Sequence, residues 1–522
     1  MTTRQRIVTA MLCVLPVVWL LLLLQRYYVP CFHSDEWTDT LPMMAHYLEG
    51  TLTFSQLNAL VGDHRLLFPH LITLGLGILT HWDVRYELAA ELVLAGLVTM
   101  NIGLIIRQSG GDWRLMPVVC LLIFSPAGYE NWMLGYQICF WLVLVCLTAI
   151  PWVAGTKWKY VGTALLCVVA SFSCASGLVS WAMAFTLLWP TARHNLGAGR
   201  LKLLLLMGFG LISTLLYFQG WSHRTPNQGP KHLPLLLFHP VDSMLYFLSY
   251  FGNPFARGFL IDENTMGCIT GTILLGLFVA GTVLARRRKL LPECLPWVAL
   301  GIGIILISAE TTYGRLGGLQ SRYIPYAALF SISLMFLLQH LKLAPILPVV
   351  LVPLAILSAI SCNPYWEYSR YIFGLSQVKQ QLVDVVDETN SLKSVTIVAL
   401  KHPAETIGQI RTLEQHGWRT PHLSFDALPA RGYAQLGKRA YGKGIQGQAM
   451  LGDRPANAVI LTREGIPFAV ATPATDGFWD AVLPPGQPDL TPQAWAYSAE
   501  TQTAFPLPYR AETLNETIPA TK

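Results

Sequence analysis

Four short clusters of polar residues carry types and spacings that could do chemistry. Asp35-Glu36 follows the first apolar run of the chain. A carboxylate leaving lipid into a partly dehydrated cleft has its pKa raised toward that of a useful general base. A solvated first loop would carry acidic residues as well, and Asp39, Glu49 and Asp63 are read in that way. His64-Arg65 stands immediately before Leu66-Leu67-Phe68-Pro69. Arginine can take two phosphate oxygens at once, which suits a lipid phosphate; snorkelling toward headgroups is the other reading. Arg315 and Arg322-Tyr323 frame a glycine-rich segment just before an apolar run, so the backbone can approach closely and the cations sit where a membrane-embedded phosphate would present itself. Glu130-Asn131-Trp132 with Gln137 could grip sugar hydroxyls, Trp132 offering a stacking face. An interfacial aromatic belt accounts for the Trp and Tyr residues equally well.

Other chemistries lack their signatures. The chain holds no P-loop, GxSxG, HExxH or glycine-rich dinucleotide fingerprint. Its net charge of +6 is spread in small clusters beside apolar runs, which argues against nucleic acid as a partner. Most of the ten cysteines lie inside apolar runs and none forms a CxxC pair, so they read as bystander thiols, with pairing of Cys31 and Cys362 the alternative in an oxidising compartment. No carboxylate cluster calls for a metal, and no cofactor is expected.

The elements that position these clusters follow from composition. Hydrophobic residues make up 53% of the 522 and charged residues only 13%, about half the share usual in soluble domains. Runs such as Ile7–Leu24, Leu88–Ile106, Ile138–Trp152 and Pro345–Ile360 are long enough, or nearly so, to cross a hydrocarbon layer of about 30 Å, and in lipid they must be helices. The run after Arg4 and Arg6 is too long for a signal peptide and Tyr27–Cys31 offers no small-residue cleavage site, so it reads as an uncleaved first span. Basic residues in short loops mark the cytoplasmic side. Those of the loops at Arg4/Arg6, Arg107/Arg114, Lys157/Lys159, Arg193/Arg200/Lys202, Arg286–Lys289 and Lys342 fall on one side only if Leu66–Thr80 lies along the outer interface without crossing. The count is then about eleven spans, with the N-terminus inside and every polar cluster outside. No internal repeat of the transporter kind is present.

Beyond Cys362 the composition becomes that of a soluble domain. Glu367–Glu388 and Glu405–His416 read as helices, and Ser394–Leu400, Ala458–Leu461 and Phe468–Ala471 as strands, before a Pro-rich tail from about Leu483. The expectation is an α-helical polytopic membrane domain over 1–361, with outer loop 28–87 carrying interfacial helices, and a small α/β extracytoplasmic domain over 362–522.

Asp35-Glu36-Trp37, His64-Arg65 with Phe68-Pro69, Glu130-Asn131-Trp132 with Gly135 and Gln137, and Ser321-Arg322-Tyr323, in this order, resemble a bacterial group of membrane proteins placed in the GT-C superfamily of polytopic glycosyltransferases. The layout over residues 7–360 is similar to that of protein O-mannosyltransferases and the aminoarabinose transferase of lipid A. The resemblance implies a bacterial plasma-membrane enzyme that moves a sugar from a polyprenyl-phosphate donor to a glycan, lipid or protein acceptor outside the cytoplasm. It further implies Asp35 as general base with Glu36 as neighbour or substitute. Arg65, Arg315, Arg322 and Tyr323 would bind the donor phosphate, and His64, Glu130, Asn131, Trp132 and Gln137 the substrate. A flippase for a lipid-linked saccharide and a polysaccharide polymerase or ligase are the alternative functions.

Overall fold

The long apolar runs become helices because lipid leaves backbone groups no partner but each other. The computed structural model describes residues 2–194, 197–220, 238–314, 319–343, 346–381, 403–418, 424–439, 442–463, 466–471, 473–474, 476–482, 492–498, 500–501 and 503–510. Among these, eight helices are long and apolar enough to cross a membrane: Thr3–Tyr27, Arg85–Ser109, Gly135–Val153, Ala198–Phe218, Glu263–Arg287, Leu291–Tyr313, Ser321–His340 and Ile346–Gly374. Four shorter apolar helical segments are Leu67–Thr80, Trp113–Gly128, Lys159–Ser171 and Ala175–Pro190. The chain is thus a multi-pass helical membrane protein. Ser321–His340 is 94% buried and Thr3–Tyr27 only 17%, so the former is the core of its bundle and the latter keeps most of its apolar surface for lipid.

The chain divides into two compact units, Met1–Arg26, Thr53–Gly75 and Arg85–Trp366 forming one, and Tyr27–Leu52, Leu76–Val84 and Glu367–Lys522 the other. In the first unit the stretch between Gln219 and Met266 contains the helix Pro240–Gly252. Leu245, Leu248 and Phe251 recur there at helical spacing, but a proline opens the run and it is too short to register as a span. The helix packs against Glu263–Arg287 so closely that a Cβ at Gly271 would lie 1.8 Å from the Leu248 carbonyl oxygen, and one at Gly252 2.0 Å from that of Gly267. Small residues are what allow such backbone contact between membrane helices.

The second unit is richer in strand than expected. A five-stranded sheet runs in the order Ser424–Phe425, Thr503–Pro506, Gln493–Ser498, Ala458–Arg463, Ile466–Ala471. A second sheet pairs Arg431–Arg439 with Gly442–Leu451, which also pairs with Arg454–Pro455 and Phe478–Val482. Ile445, Val459, Leu461, Trp479 and Leu507 share its core. The expected Pro-rich tail is corrected, since two strands of the five-stranded sheet lie within it. The pair Arg431–Arg439 and Gly442–Leu451 escaped notice because glycine weakens the strand signal. Yet Gly447 is required there, a Cβ falling 1.8 Å from the cross-strand Tyr433 oxygen. The expected helices appear as Asn363–Gln381 and Pro403–Gln415, the latter bonded to Glu49 Oε1 through Thr412 Oγ1 at 3.0 Å. The expected strand Ser394–Leu400 lies outside the described residues.

Candidate functional site

The core helix of the first unit begins with a single 3-10 turn, Ser321–Tyr323, before Ile324–His340. The first N–H groups of a helix have no partner within it. Glu130 supplies one: its Oε2 accepts from the Arg322 N–H at 2.9 Å and from Ser321 Oγ at 2.7 Å. The Glu130 N–H donates back to Ser321 Oγ at 3.2 Å, and Asn131 Nδ2 donates to the Ser321 carbonyl at 3.2 Å. A carboxylate at this end of a helix is also favoured by the dipole. Glu130 and Asn131 therefore hold the turn that carries Arg322.

The Arg322 guanidinium, about one-quarter exposed, lies 3.8 Å from Glu130 Oε1. Its Nε is buried and has no hydrogen-bond partner, as are Asn131 Oδ1, Gln320 Oε1 and Gln137 Oε1. Buried polar atoms are paired in the great majority of cases, so the bare atoms of Arg322, Asn131 and Gln320 make this turn a candidate binding position. Tyr323 is turned inward, its ring 5.6 Å from that of Tyr250 and 6.1 Å from that of Phe140.

A second cation, which sequence reading missed, stands beside this turn. Asn253 Nδ2 donates to the Gln320 carbonyl at 2.9 Å and its Oδ1 accepts from Arg257 Nη1 at 3.2 Å. Arg257 is 3% exposed and its Nε lies 3.3 Å from Glu263 Oε2. Tyr365 donates to the other oxygen of Glu263 at 2.7 Å and stacks on Tyr129 at 5.5 Å. Burial, with the Glu130 carboxylate nearby, pushes the Tyr129 phenol up to about 12. Asn253-Pro254-Phe255-Ala256-Arg257 carries no spacing that would have singled it out.

Trp132 is corrected as a sugar-stacking face. It is fully buried, donates through Nε1 to the Ser125 carbonyl at 3.1 Å and packs on Trp141 at 4.9 Å. Arg65 likewise has a different employment. Its Nε donates to the Tyr217 carbonyl at 2.7 Å, Nη1 to that of Asn58 at 2.5 Å, and Nη2 to that of Gln219. Two of these carbonyls end the helix Ala198–Phe218, where intrahelical partners run out. Replacing Arg65 with lysine, which lacks the planar fork, is expected to destabilise the protein by about 2–4 kcal/mol, each buried carbonyl left bare costing about 1–3 kcal/mol. Thermal unfolding in detergent measures this; an unchanged melting curve with lost phosphate affinity would return Arg65 to the ligand.

His64, on the same short hairpin, accepts the Ala175 N–H at Nδ1, 3.3 Å away, and that nitrogen is 3.6 Å from Cys174 Sγ. Against the turn Ala175–Val179 packs the helix Leu291–Gly314, on which Glu310 is half-buried with Oε2 unpartnered.

Asp35 and Glu36 belong to the second unit. They lie in the 3-10 turn Ser34–Trp37, entered through Ser34 at φ 54°. Glu36 is buried and its Oε2 accepts the His33 N–H at 2.5 Å, closing the turn. Trp37 and Phe32 pack edge to face at 4.6 Å, and Phe32 stacks on Trp82 at 4.8 Å. With the aromatic residues turned inward, Asp35 is left exposed. Asp35 being exposed, its own turn does not supply the dehydrated cleft expected around it. Arg315 lies outside the described residues. Cys31 and Cys362 are free, buried thiols. Among the described residues no three His, Cys, Asp or Glu side chains are grouped to hold a metal ion. Compared with known proteins, the chain matches no family model, no curated protein and no solved structure.

Proposed function

We propose that this chain is a glycosyltransferase of GT-C layout that moves a sugar from a polyprenyl-phosphate carrier to a glycan, lipid or protein acceptor outside the cytoplasm. In the reaction an acceptor oxygen attacks the anomeric carbon opposite the phosphate. The carbon–oxygen bond to the phosphate breaks, the phosphate leaves with the bonding pair, and the acceptor's proton passes to a carboxylate. The observation that carries this reading is Arg322, a cation on a rigid turn with a buried, unpartnered Nε. A fixed cation stabilises charge that develops on a leaving group without having to reorganise. Asp35 is the carboxylate assigned to the proton.

The same proposal includes the topology. Counting Trp113–Gly128, Lys159–Ser171 and Ala175–Pro190 with the eight longer helices makes eleven spans in a bacterial plasma membrane, the N-terminus inside and the C-terminal domain outside. Leu67–Thr80 is assigned to the outer interface because a crossing there would carry Arg107 and Arg114 to the outside, against the rule that basic short loops stay in the cytoplasm.

The test is transfer in proteoliposomes given synthetic polyprenyl-phosphate sugars. Asp35→Asn is expected to abolish product while its melting temperature stays at the wild-type value, because the exposed side chain makes no contact that folding needs. Near-normal product from this variant would end the assignment of the base.

A further inference from the structure

Glu310 is a half-buried ionisable group that the reading above leaves unused. It sits four residues before the end of the helix Leu291–Gly314, about 6 Å inside it. That helix packs against the next one, headed by the Ser321–Tyr323 turn, so Glu310 and Arg322 lie at the same end of two neighbouring antiparallel helices. Oε2 of Glu310 is shielded from solvent and accepts no hydrogen bond. Ionisable groups inside membrane bundles are costly and for that reason mark functional positions.

Its surroundings are built from several elements. The helix Leu291–Gly314 packs against the turn Ala175–Val179 and the helix Pro240–Gly252. Nδ1 of His64 is committed as an acceptor from Ala175 N–H, which fixes the ring. Next to Cys174 and Ala175, Ser176 Oγ is hydrogen-bonded to Tyr326 Oη at 3.2 Å. Tyr326 and Tyr323 both pack on Phe140, with ring centroids 6.1 Å away. The group therefore combines a bare carboxylate oxygen, a fixed imidazole, hydroxyls and aromatic rings, one level inward from the cation on the Ser321–Tyr323 turn.

We propose that Glu310 is the subsite that holds the sugar of the donor, and that it takes a hydroxyl-bearing sugar without an acidic group. The inference rests on the reading that the chain binds polyprenyl-phosphate sugars. Sugar hydroxyls donate to a carboxylate in charge-assisted hydrogen bonds, which are roughly twice as strong as neutral ones, and such a bond would satisfy Oε2. A uronic acid would bring a second negative charge into a site of low dielectric, where repulsion is strong.

The test measures binding to the full-length protein in nanodiscs, by native mass spectrometry. The probes are bare undecaprenyl phosphate and undecaprenyl phosphates carrying a hexose, a pentose, an N-acetylhexosamine or a uronic acid. Wild type is expected to bind at least one neutral-sugar carrier tenfold or more tighter than the bare carrier, and the uronic acid carrier no tighter. Glu310→Gln is expected to reduce that gain, and Glu310→Leu to erase it, both keeping the affinity for the bare carrier. Glu310→Leu should also raise the melting temperature, because it removes a shielded, unpartnered carboxyl oxygen; a residue with a purely structural role would lower it. A gain that survives Glu310→Leu, or no gain with any neutral sugar, overturns the subsite while leaving carrier binding intact. A wild type that holds undecaprenyl phosphate no better than an ordinary anionic phospholipid overturns the transfer reading itself, and the subsite with it.

Discussion

Replacing Arg322 with alanine is expected to lower sugar transfer by about 100-fold or more, the loss seen when one fixed donor is taken from a developing charge. Affinity for undecaprenyl phosphate should fall with it, since the cation meets the phosphate in both ground and transition states. The fold should survive. The turn is held by Glu130 through the Ser321 hydroxyl and the Arg322 backbone N–H, and neither needs the guanidinium. Arg322→Lys keeps the charge but not the fork, so its activity should fall between wild type and alanine. Transfer and carrier binding measured on the same preparations decide the matter. An Arg322→Ala protein that binds undecaprenyl phosphate as wild type does would remove the phosphate from this turn.

Gly271→Leu is expected to have the largest effect on folding. The helices Pro240–Gly252 and Glu263–Arg287 meet backbone to backbone at Gly271, where a Cβ would sit 1.8 Å from the Leu248 oxygen. No rotamer relieves an overlap at Cβ, so the helices must part. Overpacking of this kind costs about 3 kcal/mol, and Gly271→Ala should give a smaller loss of the same sign. The damage should reach the site, because the segment that leaves the first helix carries Asn253 and Arg257, and Asn253 ties it to Gln320. A lower melting temperature together with weakened carrier binding is the expected pair of results. An unchanged melting temperature would mean that the helices do not touch here.

The motif residues show where sequence reading succeeds and where it stops. Ser321-Arg322-Tyr323 and Glu130-Asn131 stood out as polar clusters at the ends of apolar runs, and they are joined by direct hydrogen bonds. Their division of labour was not legible. Glu130, read as a sugar ligand, caps a helix, and Trp132 is a core residue. Arg65 binds backbone carbonyls, an assignment that depends on where the end of Ala198–Phe218 falls, about 150 residues later in the chain. Nothing in the sequence singles out Glu310, because the bare state of its Oε2 exists only once the neighbouring helices are in place.

What the sequence by itself determined is the multi-pass helical character of the chain and the presence of a strand-containing region after Cys362. Both follow from local composition: a run of apolar residues has no soluble alternative to a buried helix, and a balanced stretch can fold in water. What only the tertiary structure decided is which polar groups at the helix ends satisfy one another and which are left bare. Arg65 and Glu130 are the same kinds of residue as Arg322 and Glu310, at similar positions relative to apolar runs. Hydrogen-bond satisfaction depends on partners far away in sequence, and so it is set by packing and not by residue type.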